Sequence, residues 1–286
     1  MEPIPAKPPE APPPKLKIPF LPNLFTAANL FCGFVALTKI VNVDKTDLAL
    51  GNFTQIYWAL AFILFACFFD LFDGRIARMG GHESPFGREF DSLADLISFG
   101  VAPAFLVHRV VLRDVFVDHE QIGWFIASIY LICGAFRLAR FNCLAAMAGT
   151  GGGKEFLGFP IPSAAGLVAS LTLLMMKIYE KDFTTGYWKY LLPVLMLFLS
   201  WMMVSEVKYP TFKGLDIKAT RTFTKTLIGI LFIGGVVILQ EKILIIVLPV
   251  FFTSYLLYGF IRPHISRKMR QEIEEEEEEQ EDSTTV

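Results

Sequence analysis

Residues 70–95 read DLFDGRIARMGGHESPFGREFDSLAD. Asp70, Asp73, Asp91 and Asp95 stand in this stretch, with Gly74, Ala77, Arg78 and Gly87 set between them. The flanks are apolar: ALAFILFACFF runs into Asp70, and LISFGVAPAFLV leads away from Asp95. An aspartate at the centre of a membrane span costs about 2.5–3.5 kcal/mol, so acids in such a setting mark function by default. On a helix Asp70 and Asp73 are three apart, and Gly74, Ala77 and Arg78 continue their face. Gly87, Asp91 and Asp95 follow at intervals of four and share a second face. A turn over Met79–Phe86 would bring the two acidic faces together. Carboxylates gathered in one pocket repel one another unless cations separate them. Oxygen-only ligands suit a hard cation such as Mg²⁺, Mn²⁺ or Ca²⁺. Four facing acids could hold two ions about 4 Å apart, the arrangement of two-metal phosphoryl chemistry. Gly74 and Ala77 keep the helix surface low for a phosphate, and Arg78 offers it a forked donor. Pairing of these acids with Arg75, Arg78 and Arg88 in a surface loop would explain one of them, not four on two facing surfaces.

Working outward, the chain has 286 residues, 53% of them hydrophobic, and a mean hydropathy of +0.49. That composition points to an all-α, polytopic membrane bundle. Eight apolar spans are expected, near residues 23–43, 54–79, 90–112, 121–141, 160–178, 187–204, 222–239 and 243–261. Each approaches the roughly 20 residues that a bilayer crossing needs. The last two share a turn of only Gln240–Lys242 and should form an antiparallel hairpin. Residues 1–20 are rich in proline, carry Lys7, Lys15 and Lys17, and read as a disordered or polyproline tail. Residues 263–286 begin basic and end in a glutamate run, most simply a solvated tail. The transmembrane domain is expected over 21–262. With both termini in the cytoplasm, the 26 Lys and Arg residues divide 18 to 8 in favour of the cytoplasmic side. The aspartates then lie at the cytoplasmic mouth of the plasma membrane. Cys32, Cys67, Cys133 and Cys143 lack metal-ligand spacing, and the four histidines form no constellation. No cleavable leader pattern is present, and no nucleic-acid partner is expected.

The 70–95 stretch resembles the signature of the CDP-alcohol phosphotransferases at every fixed position. The resemblance implies a membrane enzyme that moves a phosphatidyl-type group from a CDP-linked lipid to an alcohol and releases CMP. It implies Asp70, Asp73, Asp91 and Asp95 as ligands of two divalent cations (Mg²⁺ or Mn²⁺), with Asp95 also the general base. It implies Gly74, Ala77, Arg78 and Gly87 as residues along the CDP-lipid. Four further stretches narrow the likeness: PNLFTAANLFCGF from Pro22, SFGVAPA from Ser98, FRLARFN from Phe136 and FLGFPIPSAA from Phe156. Together they are similar to the phosphatidylserine synthase branch, with CDP-diacylglycerol as donor, L-serine as acceptor and a homodimer as the expected assembly. Asn29 stands where relatives using glycerol 3-phosphate carry an arginine. The alternatives are glycerol 3-phosphate, inositol or an inositol phosphate as acceptor, an archaeal ether-lipid donor, and, outside enzymes, an ion-coupled transporter. Asn23, Thr26 and Asn29 either line the nucleotide pocket or hydrogen-bond a neighbouring helix. Arg137 and Arg140 either anchor the span end or grip the acceptor carboxylate or the lipid phosphate. Asn142 is a polar neighbour of that site or the helix end.

Overall fold

The computed structural model describes residues 20–44, 46, 52–79, 84–148, 155–179, 190–210 and 245–259. At 21–22, 73–79 and a few element ends it describes the backbone alone. The expected span at 222–239, the turn Gln240–Lys242, residues 1–19 and residues 263–286 lie outside the described residues.

Among the described residues the chain forms helices α1 (Phe20–Val41), α2 (Thr54–Met79), α3 (Pro85–Val115) and α4 (Glu120–Ala148). Then follow strand β1 (Glu155–Leu157), α5 (Ile161–Tyr179), α6 (Leu191–Val204), β2 (Lys208–Pro210) and α7 (Ile245–Gly259). Helices α1 to α5 are long and apolar enough to cross a membrane. Helix α6 has 14 residues, about 21 Å of rise, which is short of the roughly 30 Å hydrocarbon layer. The architecture is therefore the expected all-α membrane bundle, and among the described residues five helices have the length of a full span.

Helix α1 packs chiefly along α2. Small side chains allow this: Ala36, Ala59 and Ala66 are fully buried beside Ile40, Ile56 and Ile63. The outer faces carry Phe31, Phe34, Trp58 and Phe65, as suits helices solvated by lipid. Helices α3 and α5 are the most enclosed of the five. Helix α5 buries Ile161, Ala164, Ala165, Leu167, Val168 and Ala169.

Helix α3 opens five residues earlier than the expected span. Ser84 is its N-cap and Pro85 its first residue, and the Ser84 hydroxyl oxygen accepts from Gly87 N–H at 3.0 Å. Immediately after Asp95 the helix widens into π-type turns over Leu96–Val101, and again over His108–Leu112. Pro103 has no N–H to offer the carbonyl of Phe99. The hydroxyl of the fully buried Tyr130, on α4, donates to that carbonyl at 3.2 Å. The widened turn is thus held from outside the helix.

Strands β1 and β2 pair antiparallel, with Phe156 opposite Tyr209. The pairing continues as Gly158 N–H to Val207 O (2.9 Å) and Phe159 N–H to Met202 O (3.0 Å). Gly158 has φ +79°, and a Cβ there would strike the carbonyl of Met203. This clasp ties the segment after α4 to the end of α6.

Candidate active site and metal centre

Asp70 comes from α2, and Asp91 and Asp95 come from successive turns of α3. One carboxylate oxygen of each lies within 4.8 Å of the others. Asp95 is buried, while Asp70 and Asp91 are half-buried. The helical backbone of α2 continues through Asp73, Gly74, Ala77 and Arg78, whose side chains lie outside the described residues.

Helix α1 supplies the third wall. Asn29, wholly buried, donates from Nδ2 to Asp95 Oδ1 at 3.1 Å. The backbone carbonyl of Asn29 accepts from the Ser98 hydroxyl at 2.9 Å. Gly33, one turn along, has no Cβ because one there would collide with Ser98 Oγ. Helix α1 therefore sits directly on the widened turn of α3 that follows Asp95. Thr26 is buried on the same side of α1. Asn23 reaches the first turn of α3: a Cβ on Gly87 would meet Asn23 Oδ1 at 3.4 Å.

Arg137, on α4, is buried and lies within electrostatic range of Asp95 and Asp70. Its guanidinium stands 5.9 Å from the centroid of the Phe141 ring. Among the described residues one buried cation thus faces a cluster of acids, which lowers the repulsion without removing it.

Arg140 stands one turn further along α4 and has a different set of partners. Its Nη1 donates to Val204 O (2.8 Å), and its Nη2 to Leu157 O (3.1 Å), Ser205 O (3.1 Å) and Met203 O (3.3 Å). Both terminal nitrogens donate to backbone carbonyls at the end of α6 and at β1. Asn142 donates from Nδ2 to Ser92 Oγ (2.9 Å) and Glu89 Oε2 (3.2 Å). It joins α4 to a neighbouring face of α3 beside a groove of about 240 Å³. The four cysteines are all free.

The donor set fits a hard divalent cation. All the converging atoms are carboxylate oxygens. Asp91 Oδ1 is buried with no hydrogen-bond partner among the described residues, and so are Asn29 Oδ1 and Asn23 Nδ2. Orphaned polar atoms at this depth are costly unless a ligand meets them.

Sequence spacing had not singled out Tyr130 or the Phe141 ring beside Arg137. A tyrosine in an apolar span carries no periodic signal, and its partners are distant in the chain.

Known proteins resemble the chain over this same region. A CDP-diacylglycerol–serine O-phosphatidyltransferase of Helicobacter pylori is 34% identical over 241 residues, 84% of this chain and 90% of the relative. An archaetidylserine synthase of Methanothermobacter thermautotrophicus is 34% identical over 198 residues, 68% of this chain and 71% of the relative. A CDP-diacylglycerol–serine O-phosphatidyltransferase of Bacillus subtilis is 34% identical over 194 residues, 68% and 92%. The family model described as CDP-alcohol phosphatidyltransferase matches residues 19–205. That match opens one residue before α1 and closes one residue after α6, so it contains the whole acidic cluster and the helices that build it. The chain belongs to the CDP-alcohol phosphatidyltransferase family.

Proposed function

We propose that this membrane enzyme transfers the phosphatidyl group of CDP-diacylglycerol to the hydroxyl of L-serine, giving phosphatidylserine and CMP. The observation that carries the reading is the meeting of Asp70, Asp91 and Asp95 oxygens within 4.8 Å, on helices that hold the spaced signature. The names of the similar proteins differ in the lipid and share serine, which favours serine as acceptor.

In this reading Asp70, Asp73, Asp91 and Asp95 hold two divalent cations, Mg²⁺ or Mn²⁺, which neutralise charge at the diphosphate when bound. Gly74, Ala77 and Gly87 keep the surfaces of α2 and α3 low where the nucleotide and diphosphate lie, and Arg78 grips a phosphate. Asn23, Thr26 and Asn29 line the pocket from α1. The Asn29 amide fixes one oxygen of Asp95. Asp95 takes the proton of the serine hydroxyl as the new O–P bond forms and the bond to CMP breaks. Arg137 receives the serine carboxylate by a forked contact. Arg140 and Asn142 act in support, through the carbonyls and side chains they bind.

Residues 21–262 form the transferase domain in this reading, with tails on either side. The active site faces the cytoplasm at the plasma membrane, and the working unit is a homodimer.

The test is CMP release by detergent-solubilised protein given CDP-diacylglycerol, serine and Mg²⁺ or Mn²⁺. Serine-dependent release is expected. Equal or greater release with glycerol 3-phosphate or inositol would reject serine as the acceptor.

A further inference from the structure

The segment that opens α5 reads FPIP, Phe159–Pro162, and none of its side chains carries a polar atom. Its backbone is tied on three sides. Phe159 N–H donates to Met202 O at 3.0 Å, and Pro160 O accepts from Ala164 N–H at 3.0 Å. Pro162 O accepts from the Cys67 thiol at 3.6 Å, on α2 three residues before Asp70. Prolines on either side of Ile161 restrict the backbone further. The Ile161 side chain is therefore aimed by a rigid stem.

That side chain is fully buried, and it fills a seam that two glycines leave open. A Cβ on Gly134 of α4 would meet Ile161 Cδ1 at 2.7 Å and Cγ1 at 3.6 Å. A Cβ on Gly100 of α3 would meet the same Cδ1 at 3.9 Å. One methyl group thus stands between α4 and the widened turn of α3. Gly100 lies five residues after Asp95, one π-type turn along. Beside it the Phe99 carbonyl accepts from Tyr130 of α4, and the Ser98 hydroxyl donates to the Asn29 carbonyl of α1. These hydroxyl bonds draw α4 and α1 onto the turn, and the Ile161 methyl sets how near α4 comes. A buried, β-branched side chain on a rigid stem has little freedom to swing aside.

We propose that Ile161 is a positioning residue: its δ-methyl is a spacer between α4 and the widened turn, and so fixes where that turn holds Asp95. The inference rests on the reading of Asp95 as base and metal ligand given above. It extends the site to a side chain that touches neither substrate nor ion.

The spacer can be moved from one helix to another. Ile161→Val deletes the δ-methyl, and Gly134→Ala adds a methyl from α4 at nearly the same point. A misplacement of about 1 Å at a reacting group costs up to about 100-fold, so a smaller shift predicts a loss of about threefold for Ile161→Val and about tenfold for Gly134→Ala. The loss is read as kcat per mole of folded protein, with a matching rise in the Mg²⁺ or Mn²⁺ concentration that gives half-maximal CMP release. The double variant, with one methyl back in the seam, should return both quantities close to wild type. If Gly134→Ala does not fold, Ile161→Val and the double variant still decide. A role in packing alone would lower the unfolding midpoint and leave turnover per folded molecule and the metal requirement unchanged. That result overturns the inference, and so does a double variant no better than its worse parent. Asp95→Asn, assayed alongside, separates the two readings. If it releases CMP at a near-normal rate, the reading of Asp95 fails and takes this inference with it. If it is inactive while Ile161→Val matches wild type, only the role of Ile161 falls.

Discussion

At the scale of single residues, Asp95 is distinguished from the other acids by its partner. Asn29 donates to its Oδ1, so one oxygen is fixed and the carboxylate plane is set. Asp95→Asn keeps an oxygen that can accept that bond and removes the basicity. Turnover should fall by roughly 10²–10⁴-fold, the usual contribution of a general base. Binding of CDP-diacylglycerol, measured by equilibrium dialysis, should survive. Near-normal CMP release by this variant would remove Asp95 as the base. Arg140 serves a different purpose. Its planar fork reaches four carbonyls from two nitrogens, and a lysine ammonium cannot copy that geometry. Arg140→Lys should destabilise the protein by about 1.5–3 kcal/mol, read as a lower midpoint of thermal unfolding in detergent. The serine KM should change little in the molecules that remain folded.

At the scale of elements, the site depends on how closely α1 approaches the widened turn of α3. Ser98 reaches the Asn29 carbonyl because Gly33 leaves room for it. Gly33→Ala forces a methyl group into Ser98, and overpacking of this kind costs about 1–3 kcal/mol. The displaced α1 should carry Asn29 away from Asp95. CMP release should therefore drop by more than the loss of folded protein explains, as judged by activity per mole of protein eluting as a single species. Activity that simply tracks the folded fraction would show that the α1–α3 spacing does not tune Asp95. The π-type turn itself is secured from α4, through Tyr130 and the Phe99 carbonyl that Pro103 leaves open. Three helices thus hold one carboxylate in place. The spacing of SFGVAPA shows the proline, but it does not show which hydroxyl answers it.

At the scale of the whole molecule, acids from two helices, with one buried arginine near them among the described residues, form a centre that repels itself. Ions bound there should stabilise the fold as well as serve the reaction, since a ligand of the native state adds RT ln(1 + [L]/Kd). Treatment with EDTA should stop CMP release and lower the unfolding midpoint by several degrees, or about 2–3 kcal/mol at saturating metal. Restoring Mg²⁺ or Mn²⁺ should recover both. Full activity in excess chelator would reject the metal centre. Among the described residues the apolar exterior is unbroken by charge in the middle of the spans, as the Phe and Trp residues on α1 and α2 illustrate. The protein therefore concentrates its intramembrane polarity where the helices meet.

Sequence by itself determined the helical membrane bundle, because apolar runs of about 20 residues leave the backbone no other way to satisfy its hydrogen bonds in lipid. It also determined the acidic faces. Asp91 and Asp95 at an interval of four fall on one side of a helix whatever else the chain does, and Asp70 precedes them across a short turn. Only the tertiary structure gave Arg137 and Arg140 different surroundings. Three residues apart on one helix, they look equivalent in sequence. The β1–β2 clasp and the end of α6 bring bare carbonyls to Arg140, while α2 and α3 bring carboxylates toward Arg137. Side-chain chemistry is a local property, but a partner is delivered by chain far away in sequence, and no spacing rule reaches that far.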